Sequence, residues 1–196
     1  MFQKDNTTQK AVNYIFESQT LRLQKHTGLW HLGVKDPDSV AEHSHLAAII
    51  GYVLAKMEKY PHPEKICTRL VFHDLHEARL GDQHKISSNY YKIQKELKAR
   101  VDNEQCDLIG APELAELLHD HDDTAYTIYK DADYLEMAFT AKIYVEQGYA
   151  AAQNWIDRID DVLKTKSAKL LLKELKKTQS TNWWKNLKEP TKNLRY

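Results

Sequence analysis

"RLVFHDLHEARLGD", residues 69–82, sets two histidines, two aspartates and a glutamate directly behind the apolar run Leu70, Val71, Phe72. The apolar run marks a segment that buries itself, and buried ionisable groups are costly unless paired or bound to a ligand. His73 and Glu77 stand four positions apart, and Asp74 and Glu77 three. On a helix one surface then presents an imidazole and two carboxylates together. Neutral imidazole and carboxylate are ligands for manganese, iron, cobalt or zinc, and a carboxylate left over can carry protons. Spacing alone equally allows a hydrogen-bonded core histidine flanked by surface charges. The His-Asp dipeptide by itself says little, because it recurs at 119–120 and 121–122 in "LLHDHDDTAY", a polar helix end that solvent accommodates.

Outward from this stretch the pattern is helical. Apolar residues recur at spacings of three and four, and six glycines with five prolines leave few turn-formers in 196 residues. The fold class is all-α, a compact single-domain helical bundle. A first helix is expected from "NTT", carrying Val12, Ile15, Phe16 and then Leu21 and Leu23. Ser39 caps a second, whose Leu46, Ile50, Val53 and Met57 mark its core face. Pro63 opens a third, "PEKICTRLVFHDLHEARL", with Gly81 as its stop, so the opening stretch reads as the second half of one helix and its exit. Further helices are expected over "NYYKIQKELKARVDNEQCDLI", "ELAELLHDHDD", "AYTIYKDADYLEMAFTAKIYVEQ", 150–164 and 167–177. The domain is placed at 1–178, with 179–196 as a less regular tail.

Lysine plus arginine and aspartate plus glutamate each number 28, so there is no electrostatic reason to propose nucleic acid or an anionic membrane as partner. A small molecule is the better default. The two cysteines, Cys67 and Cys106, have no CxxC spacing and indicate neither a disulfide framework nor a thiolate metal site. No apolar run is long enough to span a bilayer, and "MFQKDNTTQK" lacks the apolar stretch of a signal peptide. A cytoplasmic protein is expected.

Two more segments offer ligands. In "SVAEHSHLA", His43 lies three, seven and ten residues before Leu46, Ile50 and Val53, which directs it inward, whereas His45 lies on the opposite side. In "YKDADYLEMAF", Asp133 has Met137 one turn later and is directed inward too, with Asp131 less favoured. For either acid the alternative is a surface charge.

"SVAEHS", "FHDLHEARLGD" and "KDAD" together resemble the H…HD…D signature of the HD-domain metal-dependent phosphohydrolases, most closely the small branch that includes the 5′-deoxynucleotidases. The branch's longer pattern, HD-x-x-E-x-x-x-x-D with glycine before the last aspartate, is met by His73, Asp74, Glu77, Gly81 and Asp82. The resemblance runs over about residues 20–150. It implies His43, His73, Asp74 and Asp133 as ligands of one divalent ion (manganese, cobalt, zinc, iron or magnesium). It also implies Glu77 as the proton carrier and Asp82 near sugar and phosphate. Lys130 matches a lysine that faces phosphate, and Trp30 falls in a segment bordering the nucleotide pocket. Where relatives have an arginine before "VKDPDSVAEH" this chain has Leu32 and Gly33, leaving His31, Arg22 and Lys25 as substitutes.

The activity implied is a 5′-nucleotidase acting on (deoxy)nucleoside 5′-monophosphates, with a nucleotide as partner and room for a homodimer. A triphosphohydrolase releasing triphosphate, or a pyrophosphohydrolase, would use the same residues. The alternative outside enzymology is a helical binding module braced by a metal, with Trp183 and Trp184 as interface anchors.

Overall fold

A computed structural model describes residues 6–185 and 187. Its described residues form ten α-helices and no strand: α1 Asn6–Gln19, α2 Val40–Met57, α3 Pro63–Phe72, α4 Glu77–Leu80, α5 Lys95–Ile109, α6 Pro112–His119, α7 Asp123–Glu146, α8 Gln153–Ile159, α9 Lys166–Lys177 and α10 Asn182–Lys185. The all-α reading holds. Of the expected tail, 186 and 188–196 lie outside the described residues, as do 1–5 at the start of the domain. No described helix is long and apolar enough to cross a membrane.

The core gathers around α2, α3 and α7. Leu54, Ile66, Leu70, Ile128 and Leu135 are buried at its centre. The first turn of α2 is fixed by a capping box in which Ser39 Oγ accepts from Glu42 N (3.2 Å) and Glu42 Oε2 accepts from Ser39 N (2.6 Å). Such a cap is worth about 1 kcal/mol, and here it sets the start of α2 one turn before His43. Further along α2, Gly51 lets α3 come close, because a Cβ at that position would collide with Leu70 Cδ1 and press on Ile66 Cγ2. Gly51→Ala should therefore lower stability by about 1–2 kcal/mol, overpacking outweighing the better helix propensity of alanine. Urea denaturation checks this; an unchanged midpoint would mean that the two helices can separate freely.

Three expectations change. The third helix stops at Phe72, and residues 73–76 form tight turns with Leu75 N donating to Phe72 O and Glu77 N to Asp74 O before α4 begins. His73, Asp74 and His76 thus sit on a turn between two helices, and Glu77 opens the second of them. On α1 and its exit, Val12, Ile15, Phe16 and Leu23 are exposed, and Tyr14 and Leu21 are the buried residues. The apolar stripe exists but lies away from the other helices. On α2, Val53 and Met57 are also exposed; the buried row is His43, Ala47, Ile50 and Leu54.

Candidate metal centre

Three segments converge on one buried point. His43 comes from α2, His73 and Asp74 from the turn after α3, and Asp133 from the middle of α7. Ligand atoms of His43, His73 and Asp133 all lie within 4.8 Å of one another. Asp74 Oδ2 joins them at 2.9 Å from His73 Nε2 and 3.7 Å from His43 Nε2. Asp133 Oδ1 stands 3.3 and 3.8 Å from the same two nitrogens.

Both imidazoles are oriented from behind. His43 Nδ1 donates to Glu136 Oε2 (2.5 Å), whose other oxygen accepts from Thr140 Oγ1 (2.7 Å). His73 Nδ1 donates to Leu70 O at 2.8 Å. Each ring therefore turns Nε2 toward the acids, the arrangement that fixes tautomer and direction in metal-binding histidines. His73 Nε2 is buried and makes no directed hydrogen bond despite the nearby Asp74 carboxylate, and the donor set of two imidazoles and two carboxylates suits a divalent cation.

The charges are strongly coupled. Burial opposes a proton on His43, but hydrogen bonds and charge from Asp133 and Glu136 override it and hold the ring up to about 10. Burial likewise opposes charge on His73, which Asp74 and Asp133 nonetheless push well upward. Asp74 and Asp133 are lowered against their own burial, Asp74 chiefly by His73 and Asp133 by both rings. Glu77 goes the other way. Burial first, then the charges of Asp74 and Asp82, push it up to about 9. Only 8% of it is exposed, and Oε2 has no hydrogen-bond partner.

The remaining candidates take mixed positions. Asp82 Oδ2 accepts from both the backbone N and Oγ1 of Thr27 (2.6 Å each), tying the turn that carries Trp30 and His31 to the end of the opening stretch. Trp30 is half exposed and Arg22 exposed. His31 is exposed and meets His84, ring nitrogens 3.4 Å apart. Lys130 is paired with Asp133 Oδ2 at 2.9 Å. His45 is exposed, as its place on α2 suggests. Asp131 is no surface acid: it is buried and accepts from the backbone N of Lys164 (2.9 Å) and Thr165 (2.7 Å), just ahead of α9.

Sequence reasoning missed Glu136, Asp102 and His26. Glu136 stands three residues after Asp133 on the same face of α7, a spacing that could have revealed it. His26 stacks on His43 with ring centroids 4.5 Å apart, and burial lowers its pKa. His76, the second histidine of the opening stretch, is buried and donates from Nδ1 to Asp102 Oδ1 at 3.2 Å.

No curated protein matches this chain. Among solved structures, it resembles the structural-genomics protein "genomics APC5600" with TM-score 0.77 and 31% identity, covering 90% of this chain and 99% of that one. Coding region AF1432 from Archaeoglobus fulgidus gives TM-score 0.63 and 29% identity over 90% of this chain and 99% of that one. The HD phosphohydrolase DatZ of cyanophage S-2L, bound to dA and one catalytic Zn2+ ion, shares the fold. Its TM-score is 0.55 and its identity 20%, over 83% of this chain and 96% of DatZ. The HD domain pattern matches residues 18–176. This chain belongs to the HD-domain family, whose members are generally metal-dependent hydrolases.

Proposed function

We propose that the protein is a 5′-nucleotidase releasing phosphate from (deoxy)nucleoside 5′-monophosphates. The observation that carries this reading is the convergence of His43, His73, Asp74 and Asp133 beside a buried, proton-holding Glu77. The four residues would hold one divalent ion, which when bound supplies charge neutralisation for phosphate and makes water more acidic. DatZ, with a deoxynucleoside and a zinc ion bound on the same fold, supports a nucleotide as the substrate class.

Hydrolysis forms one P–O bond from water and breaks the P–O bond to the sugar, whose oxygen must gain a proton. Burial and the charges of Asp74 and Asp82 favour the protonated carboxyl of Glu77, which can give its proton to that leaving oxygen while the proton shed by the attacking water restores the carboxyl. Glu136 keeps His43 in register, and Leu70 O does the same for His73. Asp82 holds the Trp30 and His31 turn with one carboxylate oxygen, which positions the half-exposed Trp30 to flank a base. Arg22 and His31 are the proposed substrate-binding side chains on this side. Lys130 is engaged by Asp133, which leaves fewer cations for a longer phosphate chain and favours the monophosphate.

The test is product analysis with nucleoside mono- and triphosphates in added manganese, cobalt, zinc or magnesium. Orthophosphate from monophosphates is the expected result. Release of triphosphate would assign the triphosphohydrolase reaction instead, and no turnover on any substrate would point to the metal-braced binding module.

A further inference from the structure

His76 has no part in the hydrolysis described, yet it is wired like the two histidines that do. Its Nδ1 is tied to a buried carboxylate, that of Asp102, as His43 Nδ1 is tied to Glu136. Its Nε2 is buried without a hydrogen-bond partner, as is His73 Nε2. Only 5% of His76 is exposed. An imidazole held this way from behind, with its second nitrogen dry and unpaired, is prepared for a Lewis acid.

The groups needed to complete such a site stand beside it. One ring nitrogen of His76, one oxygen of Asp74 and one oxygen of Glu77 lie within 4.8 Å of one another. Because Nδ1 serves Asp102, Nε2 is the nitrogen left to bind. Glu77 contributes a second unpaired buried atom, Oε2. Two buried polar atoms without partners thus fall in one three-residue cluster, and such atoms call for a ligand.

We propose that Asp74, His76 and Glu77 form a second divalent-cation site next to the first and sharing Asp74 with it. One imidazole and two carboxylates select a first-row ion such as Mn2+, Fe2+, Co2+ or Zn2+ over Ca2+ or Mg2+. The site rests on the proposed ligation at His43, His73 and Asp133 only through Asp74. Filling it engages Glu77, so activity should be highest with one ion bound and fall as the second binds.

The experiment is metal content at saturating Mn2+, by elemental analysis of the dialysed protein, with electron paramagnetic resonance of the same samples. The intact protein should hold two ions per chain and show a spin-coupled signal. His76→Asn should hold one ion with the signal of an isolated Mn2+, and Asp133→Asn should lose the other ion. Circular dichroism establishes that each variant folds. One ion in the intact protein, lost in Asp133→Asn and kept in His76→Asn, overturns the second site and leaves the first standing. No ion at all overturns both.

Discussion

Glu77→Gln is expected to lower kcat for phosphate release about a hundred- to ten-thousandfold, with the ion at His43, His73, Asp74 and Asp133 still bound. Glutamine keeps the shape and burial of Glu77 but cannot donate a carboxyl proton to the leaving oxygen. A pH–stability comparison provides the companion measurement. In the metal-free chain the folded pKa of Glu77 lies above its usual value of 4.5, at about 9, so the folded state binds the extra proton between those limits. Stability attached to Glu77 is thus present below 4.5 and lost as pH rises through about 9. Glu77→Gln should flatten that decline and unfold later than the parent at alkaline pH. A variant that keeps full activity would move the proton carrier elsewhere. One that loses activity and stability together at all pH values would make Glu77 a packing residue.

Glu136→Ala is expected to weaken metal binding about 10- to 100-fold, although Glu136 is not proposed to touch the ion. The change removes the acceptor of His43 Nδ1 and of Thr140 Oγ1 in a buried place, so the ring loses both its tautomer and its direction. Glu136→Gln keeps an acceptor oxygen and should recover part of the affinity. Titration calorimetry with Mn2+ or Zn2+ reads this directly. Equal affinities for the parent and Glu136→Ala would show that His43 is either oriented by something else or is not a ligand.

How much could be read from the chain depended on whether a residue's surroundings are local. Ser39 and Pro63 acted where they stand, and the starts of α2 and α3 were legible, whereas Gly81 ends the short α4 rather than the expected third helix. His43 pointed inward as its helical phase required, even though the buried row on α2 runs through Ala47 and Leu54 rather than Val53 and Met57. The exposed Val12, Ile15 and Phe16 show the limit: periodicity identifies a stripe, but not whether another element lies against it. Asp131 and Asp133 look alike in "KDAD", and two residues of helical rotation send one to the backbone ahead of α9 and the other to the histidines. The meeting of His43, His73, Asp74 and Asp133 was legible only through the family pattern, because spacing within one helix says nothing about which helices touch. Glu136 and Asp102 lay outside that pattern and looked like ordinary helix charges.

The buried carboxylate of Asp131 joins the end of the chain to its middle, because its partners are the amides of Lys164 and Thr165. Asp131 is two residues from Asp133 on the same helix. The segment leading into α9 thus acts as a clasp on the element that delivers the final acid.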